Sequence, residues 1–328
     1  MRTVLLQVAM PPFAEAILYV FLLIAFGYAV ALFGLLREGT AEGVADFVFK
    51  IGVPVLLFRT IATADFEGIS PWPLWATYFC TITLTWMLSH QMVRRAFDRD
   101  VRGGVVAGVG GSFSNLALLG LPFIDGVYGH RGLAMLSLIL SIHLPLMMVA
   151  TIVLFRWAAR ADGMALRTER PRDVAIDFLR QLSRNPLVIG ILAGGAYRLT
   201  GLPLDGLAGR LVGALAGVAG PLALFSLGMG LRDFGLRGHL FAGSALAGIK
   251  LVAMPAIALV LAWAFALPPL SAKVAVASAS LPAGVNAWLI ARQFNTGFRL
   301  ASTSVTLGTA AGVVTTGFWL FVAQAAFG

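Results

Sequence analysis

Apolar residues run along this chain in stretches too long for the core of a water-soluble domain. Ten such stretches are read at approximately 13–36, 41–63, 71–95, 103–127, 132–158, 184–200, 206–231, 239–266, 272–293 and 298–325. Most hold about 20 residues or more, which as helices cross a hydrocarbon layer of roughly 30 Å. Helices are required, because an unpaired backbone group in lipid costs several kcal/mol and no period-2 barrel pattern runs through the sequence. The sixth stretch, from Asn185 to Leu199, is short, and nine- or eleven-span readings differ from ten mainly there.

Charge separates the loops into two sets. With ten spans, sixteen of the 24 basic residues fall on one side, seven of them between Arg156 and Arg184, and five fall on the other. By the positive-inside rule the arginine-rich side is cytoplasmic, both termini face outward, and the chain is expected in the plasma (inner) membrane. The net charge of +9 then belongs to loops beside lipid headgroups, and no nucleic-acid partner is implied. Residues 159–183 read as a basic cytoplasmic linker that touches anionic headgroups, between a first five-helix half (1–158) and a second (184–328). Composition agrees: 59% hydrophobic, 12% charged, mean hydropathy +0.88. A lone cysteine, Cys80, allows neither an intrachain disulfide nor a metal cluster built on thiolates. The first span is too long for a signal-peptide core and follows Pro11-Pro12, so it is kept as a mature helix.

The two halves echo one another. Pro54-Val-Leu-Leu-Phe58 followed by Asp65-Phe66 in the second span matches Pro221-Leu-Ala-Leu-Phe225 followed by Asp233-Phe234 in the seventh. Asn115 in the fourth span pairs similarly with Asn286 in the ninth. Because each half holds an odd number of helices, the second copy enters the membrane from the opposite side, which makes an inverted repeat.

Two spans are poorly suited to staying continuous. The fourth carries Gly103, Gly104, Gly108, Gly110, Gly111, Ser112, Ser114, Asn115, Gly120 and Pro122; the ninth carries Ser278, Ser280, Pro282, Gly284 and Asn286. Interrupted helices at matching places in two halves point to a transporter's binding site, because freed backbone groups are tolerated in lipid only where they line a cavity or are otherwise buried. The half-helix that begins after each break offers unpaired N–H groups and a positive dipole end, a fit for an anion. Close packing by glycines with asparagines bonded between helices is the alternative.

Lys50 lies midway along the second span and Lys250 about a third into the eighth, where an uncompensated charge costs upward of ~2.5 kcal/mol. The corresponding residues of the other half are Gly217 and Thr81, so a charge present in one copy suggests a role in the solute or in gating, with snorkelling as the alternative for Lys250. His143, near the middle of the fifth span, either titrates or bonds a neighbouring helix. Trp72, Trp75, Trp157 and Trp263 are read as interfacial anchors. No nucleophile–base pair or cofactor motif is evident, so neither an enzyme nor a cofactor is expected.

On Pro54 to Phe58, Asn115 with Gly120 and Pro122, Asn185-Pro186, Lys250-Leu251 with Pro255, and Pro282 with Asn286, the chain resembles the auxin efflux carrier family, bacterial relatives of plant PIN-type carriers that include malonate-type transporters. The resemblance spans nearly the whole chain. It implies an all-α integral membrane fold (bile-acid-symporter/PIN-like) of about ten helices in two inverted five-helix repeats, with a scaffold half and broken crossover helices. It also implies a small organic anion at the crossing; whether a proton or sodium ion is coupled to it, and whether the carrier works as a homodimer, stays open. By that likeness Asn115 and Asn286 are the paired crossover asparagines, with Ser112, Ser114, Ser280, Pro282, Lys50 and Lys250 as further substrate candidates. Pro54, Pro221, Gly111 and Gly284 take scaffold or gating places. Ala117 and Arg292 depart from the family pattern, which leaves the coupling ion and charge preference open. A carrier of a small carboxylate is the leading expectation; an anion channel on the same fold and a non-transporting sensor are the rivals.

Overall fold

The structure is a computed structural model and describes residues 12–64, 70–164, 171–234, 240–284, 288, 291–292 and 295–328. Among these residues the chain is helical, and one isolated bridge, Ser114 to Ala283, stands in place of any sheet. Five helical stretches are long and apolar enough to cross a membrane: Ala14–Leu32, Leu116–Ala161, Gly206–Arg232, Leu240–Ala264 and Phe298–Phe327. Leu22, Phe26, Val314 and Phe321 are each more than half exposed on them, an outer surface suited to lipid. The molecule is a multi-pass helical membrane protein.

In chain order the helices are α1 (Pro12–Leu32), α2 (Thr40–Phe47), α3 (Val53–Thr63), α4 (Pro71–Ala96), α5 (Val101–Ser112), α6 (Leu121–Ala161), α7 (Pro171–Arg184), α8 (Pro186–Leu199), α9 (Gly206–Phe234), α10 (Leu240–Gly248), α11 (Met254–Ala264), α12 (Pro269–Ser280) and α13 (Phe298–Phe327). Three π-helical turns interrupt this order: Val48–Gly52 joins α2 to α3, Leu116–Gly120 leads into α6, and Ile249–Ala253 joins α10 to α11. A proline follows each of them, at 54, 122 and 255. A proline ring clashes with the carbonyl four residues earlier, and the wider π turn gives that carbonyl room while the helix continues.

Two groups of helices result. In one, α1 packs along α9 and α3 along α8, with α2 and α3 also against α9. Glycines set the separation: a side chain at Gly27 would strike the Phe225 carbonyl, and one at Gly194 would strike the Phe58 carbonyl. The other group joins α4, α5, α10, α11, α12 and α13. Here Gly104, Gly108 and Gly111 form a stripe on α5 that receives His90, Trp86 and Ser89 of α4. That stripe answers half of the sequence expectation, since these glycines serve close packing and the interruption of the span lies beyond them. Trp75, expected as an anchor, ties α4 to α6 by donating its indole N–H to the Leu138 carbonyl at 2.7 Å.

Part of the stretch expected as a linker is helical: α7 occupies Pro171–Arg184 and leaves Ile176 and Leu179 exposed. An amphipathic pattern was hidden there by the density of arginine.

Just before it, Asp162 fixes the start of α5. Its carboxylate accepts the Val101 and Arg102 N–H groups, each at 3.0 Å, and Arg102 Nε at 3.1 Å, while Asp100 caps the Gly103 N–H at 2.8 Å. Partial burial pushes the Asp162 carboxyl up, but the two backbone N–H bonds and the guanidinium outweigh it and hold the group below the usual carboxylate range. A depressed value means stability present at neutral pH and lost as pH falls through the native value. Asp162→Asn is expected to lower the thermal midpoint in detergent at pH 7, by about 1–2 kcal/mol of cap energy. The gap to wild type should shrink as the pH is taken below 4, read by melting both proteins across a pH series.

Candidate functional site

The fourth span is interrupted, within its run of glycine, serine and asparagine. α5 stops at Ser112, Phe113 turns extended (φ −93°, ψ 96°), and the helix resumes at Leu116 with Asn115 as its N-cap. α12 stops at Ser280 in the same way, with Leu281 extended (φ −64°, ψ 143°). The two unwound segments satisfy each other. Asn115 N donates to the Pro282 carbonyl at 3.0 Å, and Gly284 N donates to the Phe113 carbonyl at 3.3 Å, which makes a short antiparallel bridge inside the bundle. Backbone amides that would be orphaned in lipid thereby find partners.

Several predicted residues meet here. Ser114 and Asn115 belong to one segment and Pro282 and Gly284 to the other. A side chain at Gly284 would touch Asn115, and the Pro282 ring rests against Gly312 of α13. Ser112 and Ser280 point back into their own helices, bonding Gly108 O and Ala277 O. The Asn115 side chain caps its half-helix through Leu118 N at 3.3 Å. Asn286 lies outside the described residues, as do Asp65 and Phe66.

The lysines separate. Lys50 is exposed and paired with Asp46 one turn earlier, so its charge is compensated and turned out of the bundle, away from the buried crossing. Lys250 is 1% exposed and donates Nζ to the Ala279 carbonyl at 2.7 Å, at the C-terminal end of α12. A cation there faces the negative end of a helix dipole. The reading that Lys250 snorkels to an interface is corrected by this burial. No Asp or Glu is among the described buried side chains, so Lys250 has no described buried carboxylate beside it.

The π turn that presents Lys250 also frees a carbonyl. Pro255 cannot donate to Leu251 O, and Trp319 of α13 does so instead, at 2.8 Å. Pro54 and Pro221 lie outside the crossing, on α3 and α9, where the Pro54 carbonyl packs on Gly190. Gly111 packs on Ser89.

Two residues beside the crossing carry no sequence signal that places them there. Tyr78 of α4 is fully buried, its hydroxyl beside Ser114 without meeting hydrogen-bond geometry. His143 of α6 is 1% exposed, its ring 4.8 Å from Phe113 and 5.7 Å from Tyr78 between centroids. Neither ring nitrogen finds a partner among the described residues, so the expectation of a bond to a neighbouring helix is not met.

Comparison with known proteins agrees with this architecture. Residues 12–320 match the family described as "Membrane transport protein". The chain is 27% identical over 311 residues to an "Uncharacterized transporter" of Methanothermobacter thermautotrophicus, covering 94% of this chain and 97% of that protein. It is 26% identical over 292 residues to a "Putative malonate transporter" of Rhizobium meliloti, covering 85% and 86%.

The freed carbonyl gives a direct test of the site's frame. Trp319→Phe keeps most of the packing but leaves Leu251 O unpaired, and the protein is expected to lose about 1 kcal/mol of stability in detergent unfolding; an unchanged midpoint would remove the indole from this role.

Proposed function

The chain belongs to the membrane transport protein family, and from that premise we propose that it is a secondary transporter that carries a small organic anion, a carboxylate in the first instance, by alternating access. The observation that carries the anion is Lys250: the described buried interior holds a lysine amine and no carboxylate to match it. An anion at the crossing completes the charge balance of a site where ions are poorly screened. The name of the Rhizobium meliloti relative points the same way.

The helix contacts support an inverted repeat. Exchanging the halves turns the α1–α9 contact into α8–α3, and α4–α5 into α11–α12; all four pairs pack. Gly27 sits on the Phe225 backbone and Gly194 on that of Phe58, and each residue of one pair lies 167 positions from its counterpart. That offset joins Pro54 to Pro221, found in the sequence independently of any contact. Gly129, with φ 61°, divides α6 into two arms and so supports a count of ten spans. In this reading α1, α2–α3, α8 and α9 form the scaffold, and the group containing α5 and α12 moves against it. A cleft of about 330 Å³ lined by Arg99, Asp100, Gly103 and Arg299 opens at the N-terminal ends of α5 and α13, on the side read as cytoplasmic. The positive-inside reading places both termini on the opposite side, in the plasma (inner) membrane.

The test is counterflow in proteoliposomes with a panel of mono- and dicarboxylates, at two pH values with and without sodium. A carrier saturates and shows counterflow, whereas uptake without either would overturn alternating access in favour of a pore. Asn115→Ala is expected to lose at least tenfold in counterflow while inserting normally. Lys250→Met, similar in volume and neutral, should keep a cooperative melt yet lose the carboxylate-dependent rise in thermal midpoint; a wild-type rise in that variant would refute the charge argument.

A further inference from the structure

Three polar features lie outside the assigned crossing. The exposed face of α7 fits a headgroup surface already expected from its arginines. The cleft at the N-terminal ends of α5 and α13 rests on helix termini and exposed arginines. The buried cluster of Tyr78 and His143 goes further, because its hydrogen-bonding atoms are sealed from solvent and still lack partners among the described residues.

A neutral imidazole carries one donor and one acceptor, and a phenol carries both on one oxygen. Leaving such a group buried and unpaired costs about 1–3 kcal/mol. Leucine or phenylalanine would fill the same places at no such cost. Tyr78 and His143 therefore hold hydrogen-bonding capacity that the described protein atoms do not use. Their surroundings locate it: the His143 ring packs against Phe113, and the Tyr78 hydroxyl lies beside Ser114, in the unwound segment that pairs with Pro282 and Gly284. Lys250 is the charged group nearest in kind, within electrostatic range of His143 across the same segment. Both residues stand on helices, α4 and α6, that border α5, so the wall they make is fixed to the crossing rather than to a loop.

We propose that Tyr78 and His143 are substrate-contacting residues that make a second wall of the binding site and select organic anions bearing a further hydrogen-bonding oxygen beyond the first carboxylate. This rests on the anion-carrier reading above and adds the class of anion. Charge attraction to Lys250 and the crossing holds the carboxylate of any small acid. The second wall rewards a hydroxyl, keto or second carboxylate oxygen and leaves an alkyl group facing unsatisfied polar atoms, which is the stronger discrimination of the two. Since Tyr78 and His143 are buried in this structure, the substrate reaches them only when the crossing opens to one side.

The test uses three acids of equal carbon count, propionate, lactate and malonate, as competitors in counterflow by the full-length protein in proteoliposomes. Wild type is expected to prefer lactate or malonate over propionate by at least tenfold. Tyr78→Phe and His143→Leu should bring that ratio toward one, and His143→Gln, which restores a donor and an acceptor, should retain it. Because the readout is a ratio within one preparation, a loss of folded protein does not mimic the effect. Equal weakening of all three acids, or an unchanged ratio in both variants, would overturn the second wall while leaving the carrier intact. A wild type that transports without discriminating would do the same, and one that binds none of the three removes the anion reading and this inference together.

Discussion

Two interrupted helices in lipid must pair the backbone groups that their interruption exposes, and this chain meets the requirement by pairing each break with the other. The Asn115 N–H to Pro282 and Gly284 N–H to Phe113 bonds tie the two segments into a bridge that neither could form alone. Much of the surrounding sequence follows from that requirement. The α5 glycines let α4 approach, Pro282 needs the small residues of α13 behind it, and Lys250 offsets the carbonyl end where α12 stops. Each of these would be a defect in a continuous membrane helix.

Proline adds a second constraint of the same kind. At 54, 122 and 255 the helix absorbs the ring with a π turn, and the turn rotates the residues within it relative to those beyond. The consequence differs with context. The turn at 48–52 places Lys50 on the outer surface with Asp46, whereas the turn at 249–253 places Lys250 in the interior and frees a carbonyl for Trp319. Two lysines of similar standing in the sequence thus end in opposite environments.

That contrast shows what could be read in advance. Long apolar helices, the breaker residues of the fourth span, and the likeness of Pro54–Phe58 to Pro221–Phe225 are local patterns, and the sequence displays them directly. The partner of Lys250 is a backbone carbonyl, which has no letter of its own, and the partner of Lys50 sits four residues away where either orientation of the helix was open. Tyr78 is one aromatic in an apolar span until α4 is seen against the unwound segment. The amphipathic course of α7 was masked because its charges were counted as a loop property. Long-range packing decides the surroundings of Lys250 and Tyr78, and one sequence holds no trace of it.

The same packing gives the site its polarity. An interior that buried Lys250 with an aspartate would be neutral and self-sufficient, with little reason to admit a charged guest. Here the buried Lys250 amine is held by a single described carbonyl, and the polar atoms of His143 and Tyr78 beside the crossing have no partner among the described residues. Such an arrangement is less stable than an apolar one of equal volume, and the anion proposed above would recover the deficit on entering. A solute biases a conformational equilibrium only when it binds one conformation better than the other, and a site completed by the solute in one conformation alone meets that condition.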